Sequence, residues 1–275
     1  MPNIVITGAT GQLGSRVVER VLEQVSVEQV AVSVRDPAKV EALRERGVEV
    51  RRGDYEDPTS LRESFVGAQR LLLISAATVG PAALQQHRNA IDAAREAGVE
   101  RIVYTSHQAA SPASKFAPAA DHAATEAILE ESGVAFTSLR DGFHAASALM
   151  MASHADGALA LPQDGPVSWT THDDLAVAAA VALTTDEFDG PTPPLTGPEA
   201  LDFAAVAELL GLRRVVVPDE DYVAGLVSHG TPEPIARMLL SMFLASRAGE
   251  FDVVDPTLER LLGRRPKTLS EAIPR

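Results

Sequence analysis

The chain has 275 residues, 45% of them hydrophobic, and no cysteine. A core of ordinary size is within reach, whereas disulfides, thiolate catalysis and cysteine-ligated metals are excluded. A formal charge of −14 repels nucleic acid and anionic lipid, and the longest apolar run, the nine residues Leu175–Leu183, is far shorter than the roughly 20 residues of a membrane span.

The expectations that follow are no nucleic-acid partner, no membrane span and a cytoplasmic setting. The first strand begins by residue 3, so a leader segment is not expected. The one dense basic cluster, Arg264-Arg265-Pro266-Lys267, reads as a solvated helix end.

In chain order, the first signal is Ile4-Val5-Ile6-Thr7-Gly8-Ala9-Thr10-Gly11-Gln12-Leu13-Gly14. A β-branched strand runs into glycines spaced Gly-x-x-Gly-x-x-Gly, followed by a helical pattern over Arg16–Gln24 and a second strand over Gln29–Val34. Glycine is demanded where a backbone must turn sharply and approach a pyrophosphate that rests on a helix N-terminus. Gly8, Thr10, Gly11, Gln12, Leu13 and Gly14 are therefore the candidate phosphate loop. Strands are expected at Asn3–Thr7, Gln29–Val34, Val48–Arg52, Arg70–Ser75, Arg101–Thr105 and Ala135–Leu139, alternating with helices. Asp36-Pro37 and Asp57-Pro58 read as N-caps with proline at the first helical position, and Gly47, Gly67 and Gly98 as helix stops.

This pattern predicts an α/β fold, a Rossmann doubly wound parallel sheet in residues 1–140. Residues 141–275 are expected to form mainly a small C-terminal α+β substrate lobe, with segments returning to the Rossmann core. There the pattern thins to strands at Ala158–Leu161, Val167–Thr171, near Leu195 and at Arg213–Val217. Helices are expected from Asp173 and over Pro198–Leu210, with the rest mostly helical. Asp186–Pro194 reads as a loop and not an interdomain linker.

Residue 35, twenty-one past Gly14, is arginine, where an acid would bind a ribose and an arginine a 2′-phosphate. With Lys39 one turn on, it favours NADP(H) over NAD(H). A competing reading takes Asp36 as the ribose ligand. Asp54 can accept from the adenine amino group or serve as a plain turn residue. Ser75 and Ala76 should pass near the cofactor's ribose and nicotinamide, and Thr105 closes the set of cofactor candidates.

His122 is the candidate proton donor or ribose partner, against a surface histidine in the first turn of a helix over Ala119–Glu131. His107, Phe143, His144 and Met151, with Met150, are candidates for an apolar substrate slot, against plain core packing. Met238, Met242 and Phe243 read as core. The histidines show no tight ligand pair, so no metal is expected.

Several stretches together resemble one family. They are the glycine start, Val34-Arg35-Asp36-Pro37-Ala38-Lys39, Gly53-Asp54-Tyr55, Gln86-His87-Arg88-Asn89-Ala90-Ile91, Gly98-Val99 with Tyr104-Thr105-Ser106, Thr125-Glu126, Leu139-Arg140-Asp141-Gly142-Phe143, Thr170–Ala176 and the closing Leu262–Glu271. The chain resembles the NmrA-like atypical short-chain dehydrogenases, on the branch of the type 2 NAD(P)H:quinone oxidoreductases and triphenylmethane reductases. The resemblance implies NADPH held by the Rossmann domain and a substrate between it and the lobe.

One expected element is missing. Tyr55, Tyr104 and Tyr222 are followed four residues later by Thr59, Gln108 and Leu226, so there is no Tyr-x-x-x-Lys relay. By spacing from Ser106, its tyrosine falls near Pro118 and its lysine near His122. Quinones and electron-poor dyes need little acid assistance to accept a hydride. The expected function is an NADPH-dependent reductase of quinones or related aromatic compounds by direct hydride transfer, working as a monomer or homodimer on a small molecule. The alternatives are a non-catalytic NAD(P)-sensing regulator that binds a protein partner, and a biosynthetic imine or enone reductase.

Overall fold

The computed structural model describes residues 2–152 and 157–273. Its elements run β1 (Ile4–Thr7), α1 (Gln12–Leu22), β2 (Val30–Val34), α2 (Glu41–Glu45), β3 (Glu49–Arg52), α3 (Pro58–Phe65), β4 (Arg70–Leu73), α4 (Pro81–Glu96), β5 (Arg101–His107) and α5 (Ala117–Ser132). They continue with β6 (Ala135–Asp141), α6 (Ala145–Ala152), β7 (Ala158–Leu161), α7 (His172–Thr184), β8 (Gly190–Pro191), α8 (Phe203–Leu209) and β9 (Arg213–Val216). Four helices end the chain: α9 (Asp219–Ser228), α10 (Glu233–Arg247), α11 (Thr257–Leu262) and α12 (Leu269–Ala272).

The chain divides into two compact units. The first gathers Met1–Ser106, Asp121–Arg140 and His172–Pro193. Its sheet has the strand order β3-β2-β1-β4-β5-β6-β8. β1 pairs in parallel with β2 and β4, β2 with β3, β4 with β5, and β6 with β8. The alternation of side chains along each strand explains the layering. Val5, Ala31, Leu71, Leu73, Ile102 and Tyr104 form one cluster with Leu61 and Phe65 of α3 and Ala90 and Ile91 of α4. The intervening residues, such as Ile6 and Val32, are equally buried on the face left to α1 and α7, which pack on each other. Strands buried on both faces read as continuous apolar runs, as here.

The second unit holds His107–Ala120, Asp141–Thr171 and Pro194–Arg275. It contains the parallel pair β7-β9 and an aromatic core that includes Phe116, Trp169, Phe203, Phe243 and Phe251.

Several expected elements differ. Val167–Thr171 is not a strand: Val167 bridges Leu201 antiparallel while Thr170 bridges His144 in parallel, so two partners running in different directions leave no common ladder. Leu195 makes a single bridge, to Asp141, because the preceding prolines cannot donate to a ladder. The helix expected from Pro198 starts at Phe203, where the Asp202 carboxylate accepts from Ala205 N–H at 2.9 Å as its cap. The loop expected over Asp186–Pro194 contains β8, the edge strand of the sheet, and the boundary between the units falls at its end, after Pro193.

Candidate functional site: a glycine-lined dinucleotide cleft

β1 is buried along its whole length and is followed by Gly8, whose φ of +65° is a left-handed conformation that glycine alone adopts freely. The turn closes with Gly11 N–H on Gly8 C=O at 2.9 Å. Packing is so close that a Cβ on Gly14 would lie 2.2 Å from Gly8 O. α1 starts at Gln12 with Gly11 as its cap, with no side-chain cap bond and no acid in its first turn. Its first N–H groups and the positive end of its dipole thus meet no carboxylate of their own, which suits an anion.

The turn opens onto a cleft of about 380 Å³ lined by Gly8, Thr10 and Gly11, by Arg35, Asp36 and Lys39 after β2, and by residues 53–56 and 74–78. Among the described residues Arg35 and Lys39 take part in no salt bridge, whereas arginines elsewhere, such as Arg16, Arg46 and Arg140, are paired with carboxylates. Asp36 Oδ1 accepts from Ala38 N–H at 3.2 Å and caps the turn after it. Asp54 also serves its own turn, with Oδ1 accepting from Glu56 N–H at 3.1 Å. Gln12, Leu13 and Gly14 begin α1 behind the lining.

Residues 74–80 form the opposite wall, and side chains from four elements take their N–H groups. Ile74 N–H donates to Thr7 Oγ1 at 2.9 Å and Ser75 N–H to Thr105 Oγ1 at 2.8 Å. Ala76 N–H donates to His87 Nε2 at 2.8 Å, and Gly80 N–H to Asp121 Oδ2 at 2.6 Å. Ser75 and Ala76 line the cleft as expected. Thr105 does not: its buried hydroxyl holds the loop from behind. Burial pushes the His87 pKa down to about 4, which keeps the ring neutral and Nε2 an acceptor.

His122 is not on the first turn of its helix but on the second turn of α5, half-buried, with Nδ1 2.7 Å from the Tyr104 hydroxyl. Burial raises the Tyr104 pKa, so the phenol keeps its proton. Ser106, where short-chain dehydrogenases carry a catalytic serine, donates to Glu126 Oε1 at 2.7 Å. Glu126 in turn takes a two-pronged bond from Arg140, Nε at 3.1 Å and an Nη at 2.7 Å. The serine is thereby committed to the buried carboxylate of a half-buried ion pair.

In the second unit, the His107 ring lies 5.4 Å from that of Phe116 and 5.5 Å from those of Phe143 and Phe251. Its Nδ1 accepts from Ala109 N–H at 3.2 Å. Met151 packs on the same cluster, and Met150 is 61% exposed. His144 bridges Thr170. Met242 and Phe243 are core, with Met238 packed against them. Next to Phe143, Asp141 is fully inside, and burial raises its carboxyl pKa well above the ordinary range. No metal-binding cluster of histidine and acids occurs among the described residues, and no helix is long and apolar enough to cross a membrane.

The sequence reading did not single out His87, Thr7 or the Ser106–Glu126–Arg140 network. For His87 a signal existed: it is the one polar residue on the buried stripe Ala83, His87, Ala90, Ala94 of α4.

Sheet order, glycine turn and cleft together define a dinucleotide-binding Rossmann protein. Residues 8–183 match the NAD(P)H-binding family model. Quinone oxidoreductase 2 of Escherichia coli is 37% identical over 98% of this chain and 97% of its own length. Its crystal structure with NADPH superposes with a TM-score of 0.89 at 36% identity, covering 98% of each chain. The triphenylmethane reductase of Citrobacter sp., complexed with NADP(H), gives 0.87 at 33% identity, again over 98% of each chain. An NmrA-like family domain-containing oxidoreductase of Aspergillus flavus is 31% identical over 98% of this chain and 92% of its own length. The chain belongs to the NAD(P)H-binding, NmrA-like family and is an oxidoreductase.

Proposed function

We propose that this chain is an NADPH-dependent reductase of quinones or related electron-poor aromatic compounds. The observation that carries the reading is the pair of uncompensated cations, Arg35 and Lys39, on the rim of the glycine-lined cleft, in a chain 37% identical throughout to a quinone reductase.

The site residues fit that cofactor: a turn with room for backbone only, a helix N-terminus without a competing acid, and two free cations. Gly8, Thr10, Gly11, Gln12, Leu13 and Gly14 hold the pyrophosphate against the start of α1. Arg35 and Lys39 hold the 2′-phosphate, the guanidinium as a planar fork and the ammonium as a point charge. Asp54 accepts from the adenine amino group, and the small side chains of Ser75 and Ala76 allow the ribose and nicotinamide to come close. Bound NADPH supplies a hydride. With no Tyr-x-x-x-Lys and with Ser106 committed to Glu126, the protein brings no strong acid to the reacting atoms, which suits a ring that accepts a hydride readily. To His122, hydrogen-bonded to Tyr104, we assign the exchange of a proton with the product. His107, Phe143, His144 and Met151, all in the second unit, bind the flat ring.

The test is NADPH consumption against a panel of benzoquinones, naphthoquinones and triphenylmethane dyes. Saturable turnover of at least one class is expected. Tight NADPH binding with no acceptor turned over above background would overturn the reading in favour of a nucleotide-sensing regulator.

A further inference from the structure

Two loops wall the cleft away from the glycine turn, residues 53–56 and 74–78. Both are tied to a single turn of α4. Gln86 donates through Nε2 to Glu56 Oε1 at 3.0 Å and accepts at Oε1 from the Thr78 hydroxyl at 2.7 Å, so one side chain bridges the two loops. Asn89 Nδ2 donates to Tyr55 C=O at 2.9 Å, and His87 Nε2 accepts the Ala76 N–H at 2.8 Å. We propose that Gln86, which itself lines the cleft, and His87 and Asn89 beside it are positioning residues that set the separation of these two loops and so preorganise the cofactor cleft.

The hydrogen positions are fully determined at His87. An amide N–H can only donate, so Nε2 is unprotonated and the ring carries its proton on Nδ1. That proton goes to Thr125 Oγ1 at 2.9 Å, whose own hydrogen goes to Asp121 C=O at 2.9 Å. Asp121 then closes the loop's far end through Gly80 N–H. The chain Ala76–His87–Thr125–Asp121–Gly80 thus begins and ends on the same loop. This loop has no ladder or helix to hold its N–H groups, and ordering it on binding would subtract from affinity. The clasp makes that order a property of the free protein.

This inference rests on the reading of the cleft as an NADPH site, and the experiment separates the two. Amide hydrogen exchange is measured on the nucleotide-free protein, and NADPH affinity by nicotinamide fluorescence, for wild type, His87→Leu and His87→Gln. In His87→Leu, exchange across residues 75–78 should quicken and NADPH binding weaken about tenfold, the equivalent of one net hydrogen bond. In His87→Gln, whose amide can accept from Ala76 and donate to Thr125, both should return most of the way. A core histidine with no positioning role would show neither the local exchange nor the rescue. Should His87→Leu fail to fold, Gln86→Ala carries the test, with about threefold weaker binding and faster exchange in both loops. A folded variant with wild-type NADPH affinity overturns the proposal. If wild type itself binds no NADPH, the reductase reading falls, and the exchange data alone uphold or overturn the clasp.

Discussion

The two sides of the cleft are built on different principles. The glycine turn is made of backbone: Gly8 is left-handed, and Gly14 has its would-be Cβ 2.2 Å from Gly8 O. The opposite wall is held by side chains, with Thr7, Thr105, His87 and Asp121 each taking one N–H of residues 74–80. A wall made by steric exclusion fails all at once, because a neighbouring carbonyl cannot yield. A wall made of several hydrogen bonds loses about 1 kcal/mol at a time and can be restored by another acceptor.

The largest effect should follow Gly14→Val. Forcing α1 from β1 should destabilise the fold by about 4 kcal/mol or more and weaken NADPH binding on the order of 100-fold, read by thermal melts and fluorescence titration. Near wild-type binding would show that the close approach is not needed.

Next comes a pH effect from the other wall. His87 titrates at about 4 when folded, against an ordinary 6.5. Above 6.5 neither state holds the proton and the native bonds are at full strength. As pH falls from 6.5 towards 4, the unfolded chain takes up a proton that the folded one refuses, so stability falls, by about 3 kcal/mol at the lower end. Denaturant melts between pH 7 and pH 4.5 should show this slope in wild type and a shallower one in His87→Gln; equal slopes would contradict it. The smallest effect is that of Thr105→Val, which strands the half-buried Ser75 N–H at a cost of about 1 kcal/mol. Its melting temperature should drop slightly, with binding weakened a few-fold; a stabilised variant would remove Thr105 from the wall.

This contrast also explains what could be read in advance. Steric demands leave residue-type signatures, so Gly8, Gly11 and Gly14, the N-caps Asp36 and Asp57, and the positions of the first six strands were all legible. Arg35 and Lys39 were legible because charge and spacing alone bring them to the rim. Thr105, expected among the cofactor contacts, instead turns its hydroxyl to the back of the loop, where it takes the Ser75 N–H. His87 stands out as a polar residue on a buried stripe, but its role stayed hidden because its partner is a backbone N–H, which every residue type but proline carries. The run Val167–Thr171 has strand composition, yet pairing depends on partners distant in sequence, and Leu201 and His144 run in conflicting directions. Gly190-Pro191 shows the reverse: turn residues became an edge strand because Thr137 and Ser138 of β6 lie alongside.

The most direct measurement of the central claim is steady-state turnover of one soluble quinone with NADPH and with NADH, in wild type and in Arg35→Glu. The account predicts that wild type prefers NADPH and that Arg35→Glu raises the KM for NADPH at least tenfold while leaving that for NADH nearly unchanged, since only NADPH carries the 2′-phosphate proposed to rest on Arg35. Equal losses with both nucleotides, or no quinone turnover with either in wild type, would contradict it.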